Sequence, residues 1–118
     1  MKLRFYQCEK CRKVLISAEE LSLDGWKEIA ACSTDAAVEK HVPVVTKSGN
    51  TVAVNVGSVT HPMTAEHLIE WVALETDKGY AVKYFSATDK PETTFVLADG
   101  ENAAAVYAYC NLHGLWKA

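Results

Sequence analysis

From Val42 onward, apolar and polar residues alternate with the two-residue period of half-buried strands. Val42-Pro43-Val44-Val45 and Thr51-Val52-Ala53-Val54-Asn55-Val56 flank a Lys47-Ser48-Gly49-Asn50 turn, and in the second run Val52, Val54 and Val56 share one face. Ile69-Glu70-Trp71-Val72-Ala73-Leu74 is the next strand. Its expected partner is Tyr80-Ala81-Val82-Lys83-Tyr84-Phe85, across Asp77-Lys78-Gly79. Asp89-Lys90-Pro91 breaks the chain before Thr93-Thr94-Phe95-Val96-Leu97, and Asp99-Gly100 breaks it again before Ala104-Ala105-Val106-Tyr107-Ala108-Tyr109. The alanines at 103 to 105 favour helix, but the alternating apolar and aromatic residues that follow favour strand. Five or six short strands with turns at this spacing predict an all-β, antiparallel sandwich.

The first 33 residues read as a small β appendage ahead of that sandwich, which gives two regions, 1–33 and 34–118. Phe5-Tyr6-Gln7-Cys8-Glu9-Lys10-Cys11 places a Cys-x-x-Cys knuckle between strand-like segments. Val14-Leu15-Ile16 and Trp26-Lys27-Glu28-Ile29 are expected to pair in a small sheet. Ser33, Thr34 or Asp35 is placed to cap a single helical turn over 36–40, which would deliver His41 to the sandwich. No internal repeat or low-complexity stretch interrupts the pattern.

At 118 residues the chain holds one good core plus an appendage, and its 49% apolar and 23% charged residues are ordinary for a globular protein. A net charge of −3 without a basic stripe argues against nucleic acid or anionic membrane as a partner. No apolar run approaches the ~20 residues that span a bilayer. The segment Met1-Lys2-Leu3-Arg4-Phe5-Tyr6 has no continuous hydrophobic stretch of the secretory kind, so the expected location is the cytoplasm. There the four cysteines are expected to be reduced thiols or metal ligands rather than a disulfide framework.

The candidate chemistry is concentrated. All four histidines fall in three short stretches that also hold the last cysteine: Glu39-Lys40-His41-Val42-Pro43, His61-Pro62-Met63-Thr64-Ala65-Glu66-His67, and Cys110-Asn111-Leu112-His113-Gly114-Leu115-Trp116. Taken singly, a His before Val-Pro is an ordinary surface residue and a Cys near a C-terminus an ordinary small apolar side chain. Taken together, four neutral imidazoles and one thiolate make a five-coordinate set that suits a redox-active first-row metal with one position open. A structural zinc site would be closed at four. Asn111 and Gly114 let the backbone turn both Cys110 and His113 onto one metal, and the loop offers its N–H groups to the sulfur.

These three stretches, with steps of twenty residues from His41 to His61, six to His67 and three from Cys110 to His113, resemble superoxide reductase, the desulfoferrodoxin and neelaredoxin family. The resemblance runs from about Thr34 to Ala118. It implies a seven-stranded immunoglobulin-like sandwich and a mononuclear non-haem iron, with His41, His61, His67 and His113 as the equatorial square and Cys110 as the axial thiolate. It also implies one-electron reduction of superoxide to hydrogen peroxide without dismutation. Lys40 matches the cation that attracts the anionic substrate, and Glu39 the carboxylate that closes on the oxidised iron. The implied electron donor is a small carrier such as rubredoxin, and the expected assembly is a homo-oligomer, a dimer or tetramer. An iron-containing electron carrier or redox sensor on the same scaffold is the alternative, and retention of Lys40 and Glu39 argues against it.

The chain departs from the two-iron members at its front. Cys8 and Cys11 are present, but Glu20-Leu21-Ser22-Leu23-Asp24-Gly25-Trp26 stands where an adjacent Cys-Cys pair would complete a four-thiolate iron centre. With Cys110 committed, at most three thiols remain for a site that needs four. The sequence therefore predicts a one-iron form with a degenerate, desulforedoxin-like N-terminal domain and no four-cysteine centre. Cys8 and Cys11 stay open as reduced thiols, a reversible disulfide, evolutionary leftovers or part of a three-cysteine site.

Overall fold

Two sheets face each other across a core drawn from alternate positions of their strands. The structure, a computed structural model, describes residues 2–118 and is compact in two units, one ending at Ala30 and the other running from Ala31 to Ala118. In the second unit, β4 (Pro43–Ser48), β5 (Thr51–Val56) and β8 (Glu92–Val96) form one sheet in the order β4-β5-β8. The other holds β6 (Ile69–Thr76), β7 (Tyr80–Tyr84), β9 (Ala103–Cys110) and β10 (Gly114–Lys117) in the order β10-β9-β6-β7. Every pairing is antiparallel. The alternation predicts six of these seven strands as an antiparallel sandwich, and β10 is the one it misses.

Val52, Val54 and Val56 of β5 bury together against Ile69, Val72 and Leu74 of β6, Phe95 of β8, and Val106, Ala108 and Cys110 of β9. Cys110 is thus the last core residue of its strand as well as a candidate ligand. The β6–β9 register slips between Ile69 and Trp71, which places a bulge at Glu70 beside the Ile69–Cys110 pair. Bulges of this kind re-aim side chains next to functional sites.

Three sequence expectations are corrected. The run ending at Tyr109 is not the last strand: it extends to Cys110 as β9, and β10 pairs back on it through Gly114↔Cys110 and Leu115↔Tyr109. Leu115 and Trp116 are both buried, so β10 lacks the alternation that marks a strand. The helical turn, α1 (Val38–His41), starts after an extended Ala37, and none of Ser33, Thr34 or Asp35 caps it. In the first unit, β2 (Val14–Ser17) and β3 (Trp26–Glu28) do not pair with each other. Both flank the central β1 (Arg4–Cys8), whose Phe5, Tyr6 and Gln7 are buried.

Candidate metal centre

His41 is the last residue of α1, His61 and His67 lie in the connection between β5 and β6, Cys110 closes β9, and His113 sits in the turn into β10. Ligand atoms of His41, His61, His67 and Cys110 lie within 4.8 Å of one another. The His113 ring stands beside them, with Nδ1 3.8 Å from Cys110 Sγ. Ring centroids are 4.7 Å apart for His41–His61, 4.6 Å for His61–His67, 5.2 Å for His67–His113 and 5.0 Å for His113–His41. The His41–His67 separation of 6.5 Å exceeds all four, so it is a diagonal. Neighbouring rings meet nearly edge to face, at 72° to 86°, while the diagonal pair is inclined by only 31°. The four imidazoles form a square with the buried sulfur beside it.

The hydrogen bonds decide which nitrogen points inward. His41 Nδ1 is 2.7 Å from the Ala37 carbonyl, and His61 Nδ1 is 2.7 Å from the Pro62 carbonyl. A carbonyl only accepts, so each Nδ1 carries the hydrogen and each Nε2 keeps its lone pair. Nε2 of His41, His61 and His67 is buried without a hydrogen-bond partner. Leaving such an atom unsatisfied costs about 1–3 kcal/mol. Three such atoms converging beside a thiol are explained by a cation that accepts their lone pairs, so these residues fit a metal. The set of imidazoles and one soft thiolate matches iron better than magnesium or calcium, which prefer oxygen ligands.

Protonation states agree. Burial lowers the pKa of His41, His61 and His67, that of His61 to about 4, so at neutral pH all three are uncharged imidazoles. Burial also raises the Cys110 thiol, while the backbone N–H groups of His113 and Leu112 pull it down. Those N–H groups are the loop donors expected from Cys-Asn-Leu-His, and they remain to stabilise the sulfur once a metal displaces its proton.

The sequence does not announce the residues that aim the ligands. Asn111 donates through Nδ2 to the Glu66 carbonyl (2.9 Å) and accepts from the Leu68 N–H (3.0 Å), so it grips the chain on both sides of His67. The Thr64 hydroxyl receives the His67 N–H at 3.1 Å. Trp116 stacks on the His41 ring at 4.9 Å and donates its indole N–H to the His113 carbonyl. Gly57, at φ +86°, lies so close to the Lys40 and Val59 carbonyls that a Cβ would stand 2.7 and 2.4 Å from their oxygens. That contact joins the His41 turn to the His61 loop. Lys40 and Glu39 are exposed on α1. The Lys40 charge disfavours protonation of His41 and His67, and that of Glu39 favours it at His41.

Comparison with known proteins identifies the family. The desulfoferrodoxin family model matches residues 33–118. The chain belongs to the desulfoferrodoxin family. A curated desulfoferrodoxin from Clostridium acetobutylicum is 50% identical over 91 residues, 77% of this chain and 70% of the relative. Among solved structures, the superoxide reductase from Treponema pallidum is 37% identical with a TM-score of 0.85, covering 100% of this chain and 99% of that one. A one-iron superoxide reductase from Giardia intestinalis is 33% identical with a TM-score of 0.58, covering 68% of this chain and 95% of that one. This desulfoferrodoxin-family chain has the sandwich and the antiparallel sheets that the resemblance implies. Among its described residues, no helix is long and apolar enough to cross a membrane.

Proposed function

We propose that this chain is a superoxide reductase, with His41, His61, His67 and His113 as the imidazole ligands of one iron and Cys110 as its thiolate. The observation that carries the reading is the square of four imidazoles, three of them with buried, unpartnered Nε2 atoms, beside a buried cysteine. An iron ion held there would supply the single electron that reduces superoxide to hydrogen peroxide, with two protons drawn from solvent. The protein's own work is to hold the imidazoles neutral and pre-aimed, to keep the sulfur in backbone N–H bonds, and to attract an anion. Lys40 performs the last task. A positioned cation typically raises the on-rate of an anionic substrate by ~10 to 10³. Against a net charge of −3 its effect is local. Glu39, on the same turn, is the carboxylate available to the oxidised centre.

By the same reading the electron donor is a small carrier such as rubredoxin, the protein works in the cytoplasm as a dimer or tetramer, and residues 1–33 are a degenerate desulforedoxin-like domain. Pulse radiolysis of the iron-loaded protein tests the activity: superoxide should disappear, peroxide should form, and no dioxygen should be released. Lys40→Ala should slow that reaction and reduce its sensitivity to salt, because ionic strength screens the field of an exposed charge. A centre that accepts and donates electrons while superoxide decays at the buffer rate would be a carrier or sensor instead.

A further inference from the structure

The first unit carries a second reactive group that the metal centre does not use. Strand β1 ends at Cys8, and the turn through Glu9 and Lys10 brings Cys11 back to it, with the Cys11 N–H donating to Cys8 Sγ at 3.2 Å. The turn is held from several sides: Arg12 N–H to the Cys8 carbonyl at 3.0 Å, Cys8 N–H to the Lys13 carbonyl at 2.9 Å, and Gln7 Nε2 to the Arg12 carbonyl at 3.1 Å. Arg12 closes it at φ +66°, a conformation that side-chain-bearing residues seldom adopt. Both cysteines are free thiols; Cys11 is exposed and Cys8 half-buried. Among the described residues, the only group of three or more metal-capable side chains is at the histidine centre. The knuckle therefore offers two sulfurs where a tetrahedral thiolate site takes four.

We propose that Cys8 and Cys11 are a reversible dithiol–disulfide pair oxidised by peroxide, with Cys8 as the attacking thiolate and Cys11 as the resolving thiol. Hydrogen bonds from the Cys11 backbone N–H and then the Cys11 thiol, with smaller ones from the Lys10 and Arg12 N–H groups, lower the Cys8 pKa against the opposing effect of burial, and the thiolate is the nucleophile in such chemistry. Cys8 sulfur attacks one peroxide oxygen; the S–O bond forms, the O–O bond breaks, and the departing hydroxide takes a proton to become water. The Cys11 thiolate then attacks the Cys8 sulfur, the S–S bond forms, and the sulfenic oxygen leaves as a second water. Two thiols and one hydrogen peroxide give one disulfide and two waters, and a thiol reductant reverses the change. The proposed function would generate such an oxidant, but the pair's chemistry does not depend on that activity.

The test treats the full-length, iron-loaded protein with a few equivalents of hydrogen peroxide and maps its cysteines by alkylation and peptide mass. Two alkylatable thiols per chain should be lost, recovered in one Cys8–Cys11 linked peptide, and restored by dithiothreitol. Cys11→Ser should accumulate a dimedone adduct on Cys8, and Cys8→Ser should lose that adduct while keeping superoxide reduction. The proposal is overturned if Cys8 and Cys11 stay free while Cys32 or Cys110 is oxidised, or if the disulfide joins two chains. It is equally overturned if a bound metal blocks both thiols until it is chelated.

Discussion

Asn111→Ala removes two hydrogen bonds that hold the chain on either side of His67, and it leaves all five candidate ligands in place. Each such bond contributes about 0.5–1.5 kcal/mol net. The bond to the Glu66 carbonyl is solvent-exposed and belongs at the low end, so the pair amounts to about 1–2 kcal/mol of metal-free stability. The backbone bond from Asn111 N–H to the Leu68 carbonyl survives, as does the Thr64 hydroxyl on the His67 N–H, so the loop loosens without unfolding. Metal binding must then restore the His67 geometry at its own expense. Outer partners of metal ligands typically matter 10–100-fold in affinity, and tenfold is about 1.4 kcal/mol. Anaerobic iron(II) competition with a chelator reads the affinity, and urea unfolding of the metal-free protein reads the stability. Asn111→Asp keeps the acceptor for Leu68 N–H and loses the donor to Glu66, so it should fall between the two. Lost stability with iron affinity within about twofold of the parent would make Asn111 a loop staple, refuting its role in placing His67.

Cys110→Ser should abolish the thiolate-to-iron absorption and most superoxide turnover while weak iron binding persists through the histidines; colour and turnover both retained would remove Cys110 from the ligand set. Gly57→Ala should destabilise the fold by about 3 kcal/mol or more in chemical unfolding, because a disfavoured φ is joined by collisions with two backbone carbonyls. Gly49→Ala, at φ +56° with nothing near its Cβ, should cost only about 1 kcal/mol, and equal losses at the two sites would discredit the close-approach explanation. The metal-free protein should lose stability in acid. The folded His61 pKa lies near 4 against an ordinary 6.5, so the unfolded chain binds the extra proton first. The stabilisation is complete above pH ~6.5 and disappears as pH falls through ~4. At 1.36 kcal/mol per unit this is about 3 kcal/mol, and an NMR titration placing His61 near 6.5 would refute it.

The strands were legible where one face is buried. Val52, Val54 and Val56 mark β5 because the intervening Ala53 and Asn55 face away from the core. The same rule hides β10, whose adjacent Leu115 and Trp116 are both buried. It also gave no warning that β1, rather than a β2–β3 pairing, is the centre of the N-terminal sheet. Short runs such as Val14-Leu15-Ile16 state that they pair, and the choice of partner rests on tertiary contacts. The turn before His41 was placed within two residues, but its start follows from the extended Ala37 and not from any of the three capping side chains nearby.

The candidate ligands were legible because imidazole and thiol are rare groups whose coincidence in three stretches carries chemical meaning by itself. Their aim was not, because it is set by groups that every residue possesses. The carbonyls of Ala37 and Pro62 fix the Nδ1 hydrogens of His41 and His61 and so turn Nε2 inward. In His113, Nδ1 is the nitrogen that stands 3.8 Å from the Cys110 sulfur. The Cys110–His113 step of three residues holds that ring close to the sulfur, whereas His41 and His61 reach the square from separate segments and present the far edge of the ring. A carbonyl is the same whether it belongs to alanine or proline, so the choice of nitrogen leaves no trace in composition or spacing. Side-chain identity therefore specifies what the centre is made of, and the backbone path specifies which atom of each ring meets the metal.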